Sequence, residues 1–292
     1  PLHGALEGDL EAALQLRFFE VLAVGIDPKI VHEAHQFVLT YGKKEWVLEG
    51  IDEDSLVKGL DQLVAHDADF QLSKARIRVL DVEGDEIDDS RLGELVQMEI
   101  DRGEDTFVRI ERRWFRCQAD YMERVSQRVA ALPDLTTHLL LPSWTTAMPK
   151  EENYNLAVAA NKGWLLQDQM FYWRNGEKIE PCDLLTPDKH FIHVKDGGSS
   201  SALSHLFGQA SGSADLLIRH TPYRDEMKRR YEGQWPGTTF EASRATVVLG
   251  IARATGTDLF GKMLLSRINV LEHARRIQNL GLGFAIYRID RP

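Results

Sequence analysis

The chain has 292 residues, 43% of them hydrophobic, and a formal net charge of -10. That is enough for one large domain or two ordinary ones with a sizeable core, and no apolar run approaches the roughly 18 residues of a membrane-spanning helix. Two cysteines, Cys117 and Cys182, exclude a disulfide scaffold and a cysteine-rich zinc site, and point to a reducing, cytoplasmic setting.

The first residues, Pro1 to Glu7, carry neither the basic nor the apolar stretch of a signal peptide, and without an initial Met the chain reads as trimmed from something longer. Charge is uneven: residues 1–150 hold 29 acidic and 17 basic side chains, residues 151–292 hold 16 and 18. An acidic first half repels phosphate backbones, so if nucleic acid binds, the second half must do it. The plain alternative is a surface charge that only keeps the protein in solution.

Residues 5–40 read as helical, interrupted by a turn at Gly25 to Pro28, with Asp27 as N-cap and Pro28 opening a helix from Lys29 to Thr40. Leu56, Leu60, Leu63 and Val64 predict a helix over 54–65. Ala75 to Leu80 alternates and predicts a strand; Asp81 to Asp89 reads as an acidic turn region. Thr106 to Ile110 and the stretch to Arg116 read as a strand, a turn and a returning strand, and Asp120 to Leu132 as a helix closed by Pro133. Pro142 to Pro149, with its two prolines and no periodicity, is the expected boundary between an acidic α+β region, 1–141, and an α/β domain, 142–292.

Beyond it, Glu151 to Lys162 predicts a helix ending at Gly163. Trp164 to Met170, Lys178 to Leu185 and Phe191 to Lys195 predict three strands. Ser201 to Ile218 predicts a helix with a stripe at Leu203, Leu206, Phe207, Ala210, Ala214 and Leu217. A polar, basic connection is expected from Arg219 to Gly237, then a strand over 245–251, a helix over 269–280 and a strand over 284–289. Three consecutive strands flanked by helices predict a central mixed sheet covered on both faces.

The polar residues concentrate between Ile179 and Gln209. If Asp183 and Lys195 lie near the ends of adjacent strands, a carboxylate and an ammonium share one pocket. His193 and Lys195 are two apart and point to one face. A carboxylate binds a hard divalent cation, and a lysine orients water or neutralises charge on a phosphate. The plain alternative is a half-buried strand with solvated polar residues. Gly197, Gly198, Ser199, Ser200 and Ser201 precede a helix, where free backbone N–H groups and the helix dipole favour an anion; an ordinary Ser-capped helix is the alternative. His205 and Gln209 share a helix face, lining a site or solvated. Of Glu151 and Glu152, one serves as a second metal carboxylate, or both only complement the helix dipole. Basic stretches at 219–231 and 267–276 track a nucleic-acid backbone or only aid solubility.

Several segments carry a resemblance: Trp114-Phe115, Glu152 to Asn155, Ile179 to Leu185, Phe191 to Lys195, Ser199 to Gln209, and Val247 to Ile289. They resemble a sporadically distributed bacterial family of unknown function across most of the chain, which implies no established activity. The order of elements in the second half is similar to the restriction-endonuclease-like phosphodiesterase superfamily with its PD…(D/E)xK motif. That resemblance implies that Asp183 and Glu152 hold Mg²⁺ or Mn²⁺, that Lys195 orients the attacking water and that Gln209 positions substrate. His193 stands where the motif has an acidic residue, as ligand or base. Glu180, three residues before Asp183, is expected on the other face.

The expectation is a metal-dependent nuclease or nuclease-derived domain acting on DNA or RNA, with no membrane association. The alternatives are a non-catalytic module binding nucleic acid or a nucleotide through Lys195 and the 197–201 turn, and a scaffold whose acidic half meets a basic partner.

Overall fold

A computed structural model of the chain describes residues 20–24, 34–48, 53–67, 70–102, 105–110, 113–174, 177–198, 200–261 and 264–292. The fold is a mixture of helices and sheets in two compact units, residues 1–123 with 199–201, and residues 124–198 with 202–292. Among the described residues no helix is long and apolar enough to cross a membrane.

The first unit contains β1 (Glu20–Val24), β2 (Gln36–Tyr41), β3 (Lys44–Leu48), α1 (Glu53–His66), β4 (Ala75–Leu80), β5 (Glu86–Arg91), α2 (Leu92–Leu95), β6 (Val96–Arg102), β7 (Asp105–Ile110) and β8 (Arg113–Cys117). They make two antiparallel four-stranded sheets, ordered β1-β6-β7-β8 and β3-β2-β4-β5. Leu56, Leu60 and Leu63 of α1 bury against Leu39, Leu48, Ile77 and Val79 in one core, as their spacing requires.

Two expectations fail here. Glu20–Val24 and Gln36–Tyr41 are strands rather than helix, because β2 pairs on both sides, with β3 and β4. Ala34 and His35 are not helical either, and the rest of the expected 5–40 helices, with the turn at Gly25 to Pro28, lies outside the described residues. The acidic stretch after Asp81 turns at Gly84, where φ is 85°, and returns as β5. Its carboxylates face arginines across the ladder: Arg76 donates to Asp89 at 2.7 Å and Arg78 to Glu86 at 2.6 Å. Cross-strand opposite charges suit a solvated sheet face.

After α3 (Ala119–Ala130) and α4 (Thr136–Leu139) come α5 (Glu151–Lys162), β9 (Leu165–Leu166), β10 (Tyr172–Arg174), β11 (Glu177–Ile179), β12 (Leu184–Leu185) and β13 (His190–Asp196). Then follow α6 (Ser200–Arg219), α7 (Thr221–Gln234), β14 (Thr246–Ala254), α8 (Leu264–Asn279) and β15 (Gly283–Arg291). The sheet of the second unit runs β15-β14-β13-β12-β9. β9, β12 and β13 are antiparallel; β13, β14 and β15 are parallel. Ile192, Val194, Val248 and Ala285 pack with Tyr154 and Val158 of α5. The predicted stripe of α6 is buried at all six positions.

Three departures matter for the site. The 164–170 strand stops at Leu166 and the 178–185 strand is broken, leaving 180–183 irregular around Pro181. Proline has no N–H to give a ladder, so the break falls there. The expected basic connection contains α7. His220 caps it by accepting the Tyr223 N–H at 3.2 Å, and Tyr223, Met227 and Tyr231 bury at a spacing of four. The Pro142–Pro149 stretch is strapped to β15 rather than free: Trp144 N donates to Asp290 O at 2.9 Å, and Leu141 N to the Tyr287 hydroxyl at 2.7 Å. The break between units falls earlier, at residues 123 and 124.

Candidate functional site

Where the chain leaves β9 it turns on a single carbonyl. The backbone N–H groups of Gln167 and Asp168 both donate to Asp183 O, at 2.8 and 3.1 Å. Gln169 adopts φ 61°, and its N–H donates to Glu180 Oε1 at 2.6 Å. The 167–170 loop and the 180–183 segment are thereby fastened together at the base of the β10–β11 hairpin, whose first pair is Tyr172 with Ile179. Arg230 of α7 braces the loop, donating to Gln167 Oε1 at 2.8 Å and Met170 O at 2.7 Å.

This fastening gathers Asp168, Glu180 and Asp183, each with an oxygen within 4.8 Å of the others. Asn155 of α5 donates its amide to Asp168 Oδ2 at 3.1 Å and to Asp183 Oδ1 at 3.3 Å. Asp183 Oδ2 accepts the Val194 N–H at 2.6 Å, and Gln209 of α6 donates to Glu180 Oε2 at 2.6 Å. Lys195 donates to Glu151 at 3.2 Å, with both side chains 29% exposed.

The charges here are out of balance. Burial pushes the Asp183 carboxyl well above its ordinary value; the Val194 N–H pulls it back, and Glu180, Glu151 and Asp168 push it further up. Glu180 is raised chiefly by burial and, after the lowering by the Gln169 N–H, again by Asp168. Glu151 is raised by burial despite the opposing pull of Lys195. A cation among these oxygens would relieve the repulsion.

Asn155 is fully buried, and its carbonyl oxygen has no hydrogen-bond partner among the described residues while its NH₂ faces the carboxylates. A half-turn of the amide would replace that NH₂ with a neutral oxygen. The three carboxylates are hard oxygen donors, which fit Mg²⁺ or Mn²⁺ rather than a thiolate- or imidazole-loving metal.

Of the residues expected from sequence, Asp183, Lys195 and Gln209 come together here. Glu152 does not: it is exposed on α5, and its neighbour Glu151 is the one that meets Lys195. His193 does not either. It is fully buried, neither ring nitrogen has a partner among the described residues, and burial pushes its pKa down to about 3. It is a neutral core side chain, sealed off two residues before Lys195 clears the buried part of the strand. His205 lies near Lys195: partial burial of its ring, then the lysine charge, lowers its pKa.

Two amides of the turn after β13 are committed. Gly197 N donates to Ala252 O at 2.9 Å and Gly198 N to Asp196 Oδ1 at 3.2 Å, so neither points at an anion. Glycine is required at 197 for space, since a Cβ would sit 2.5 Å from Ile251 Cγ2. Ser199 lies outside the described residues, as do the side chains of Ser200, which begins α6, and Ser201.

Sequence reasoning missed Asp168 and Asn155 and turned Glu180 away. One signal was available: Asn155 is a polar residue within the apolar stripe Tyr154, Val158 and Ala159. A family model described as Family of unknown function (DUF6119) matches residues 2–290. No curated protein and no solved structure gives a significant match.

Proposed function

The chain therefore belongs to that family of unknown function, and from the chemistry of its site we propose that the second unit is a divalent-metal-dependent phosphodiesterase acting on DNA or RNA. One observation carries the reading: three carboxylates converge beside a lysine that is itself held by a fourth carboxylate. The order of elements supports it. The second-unit sheet, in which β9, β12 and β13 are antiparallel and β14, reached through α6 and α7, is parallel to β13, is compatible with the restriction-endonuclease-like resemblance, in which Asp183 and Lys195 would take the motif roles. The acidic role that His193 leaves open passes to Glu180.

Asp168, Glu180 and Asp183 would hold Mg²⁺ or Mn²⁺, with the Asn155 amide NH₂ steadying two of them. When bound, the ion supplies charge against the scissile phosphate and lowers the pKa of water. Glu151 holds the Lys195 ammonium, which orients the attacking water and offsets charge gathering on the phosphate. Gln209 fixes Glu180 through its amide rather than reaching for substrate. Two free thiols, Cys117 and Cys182, fit a reducing cytoplasm.

The test is incubation of plasmid DNA and of RNA with Mg²⁺ or Mn²⁺, comparing wild type with Asp183→Asn, Glu180→Gln and Lys195→Ala. Cleavage by wild type and its loss in the variants is the expected result. Equal product from all four proteins sinks the proposal, and salt-sensitive binding without cleavage assigns the site to a non-catalytic binder.

A further inference from the structure

The hairpin β10–β11 leaves the carboxylate cluster at Met170 and returns to it at Glu180, and its exposed face is aromatic. Trp173 is 60% exposed, an unusual place for an indole on a strand of three residues. Alternation explains its direction. Tyr172 turns inward and packs edge-on against Tyr223, with ring centres 5.1 Å apart, and against His220 at 5.9 Å, so the next residue must face out. The Lys178 ammonium lies 5.3 Å from the Trp173 ring and 5.4 Å from the Phe171 ring.

Phe171, Tyr172 and Trp173 line an open cleft together with Pro222, Arg229 and Arg230 of α7. Two acids also line it. Glu226 is committed to Arg229 and Arg230 through bonds of 2.6 to 2.9 Å, which leaves Asp225 as the opposing charge. The two arginines and two acids of the lining balance, so the uncompensated positive charge beside the aromatic faces is Lys178. Arg230 belongs to both places, since it lines the cleft and braces the loop of Asp168. Trp173 is five positions on from Asp168, so their Cα atoms are at most about 18 Å apart.

We infer that this cleft stacks an unpaired base and so selects single-stranded nucleic acid for the carboxylate site. Aromatic faces next to cations bind a strand whose bases are free to stack and whose phosphates are close by. A duplex offers the phosphates but keeps its base faces buried. The inference rests on the phosphodiesterase reading for its purpose, but not for its binding.

The experiment measures the anisotropy of a labelled single-stranded oligonucleotide and of its duplex, with full-length chain in EDTA, alongside Mn²⁺ binding by calorimetry. Wild type is expected to bind the single strand more tightly than the duplex. Trp173→Ala should weaken single-strand binding ~10-fold, Trp173→Phe should retain most of it, and both should bind Mn²⁺ like wild type. Equal single-strand affinity in wild type and Trp173→Ala overturns the inference, as does a preference for duplex. Should wild type bind Mn²⁺ and the strand as expected yet cleave nothing, the cleft stands and the phosphodiesterase reading falls.

Discussion

The Val194 backbone N–H donates to Asp183 Oδ2 at 2.6 Å, fixing a buried carboxylate to the strand that carries Lys195 one residue later. The bond sets the separation of the two functional groups through the backbone, without dependence on a long side chain. It also holds in place a carboxylate that burial opposes when charged.

That opposition gives a pH signature with a definite sign. Asp183, Glu180 and Glu151 all have raised pKa values in the fold, so the folded state holds protons that the unfolded state releases. In metal-free protein their contribution is fully present below the ordinary carboxylate range and is lost as pH rises through the raised values. A cation competes with those protons, so Mn²⁺ should raise Tm more at pH 8 than at pH 5. At a hundredfold excess over Kd the gain is about 2.7 kcal/mol. Thermal melts at both pH values check it, and Asp183→Asn should remove most of the difference.

Glu151→Gln should test the hold on Lys195. The pair is partly exposed, so folding should change by no more than about 1 kcal/mol. Cleavage at saturating substrate should fall about tenfold, with KM little altered, because the ammonium loses its charged anchor. Steady-state kinetics beside a denaturation curve separates the two effects.

His193→Leu should leave Mn²⁺ affinity unchanged and be neutral or stabilising by about 1 kcal/mol, because two buried ring nitrogens without partners are removed. The native histidine stays neutral until about pH 3, whereas the unfolded one takes up a proton near 6.5. Its contribution is present above that value and is lost as pH falls toward 3. The variant should therefore resist acid better than wild type, as followed by circular dichroism.

Gly197→Ala should destabilise by about 1–3 kcal/mol through the clash with Ile251, yet Mn²⁺ binding by the folded fraction should match wild type. A loss of anion binding with unchanged stability would instead restore a phosphate role to this turn. Chemical denaturation and calorimetry decide between them.

How far the sequence reached depends on whether a contact is local. The α6 stripe was legible from its period and β13 from its short apolar run, and Lys195 and Gln209 lie on those elements, whereas Asp183 sits in the irregular stretch before β12. Asp168 was hidden because its turn is made by two N–H groups converging on Asp183 O, fifteen residues away in sequence. Glu180 was sent to the wrong face by counting alternation through Pro181, where no strand exists. His193 matched a motif position, and only packing shows that its ring is enclosed. In the first unit, the apolar runs at β1 and β2 are too short for period to separate strand from helix; pairing across the sheet decided.

The two tied ends of the β10–β11 hairpin carry an evolutionary consequence. Everything that aligns the acidic oxygens lies at or outside Met170 and Glu180: the Asp183 carbonyl, the Gln169 N–H, and the side chains of Asn155, Gln209 and Arg230. The residues between, 171–179, can change in length and character without moving any of these carboxylate oxygens. What the proposed centre admits can thus be altered by exchanging a single short insert while its acidic groups stay in place.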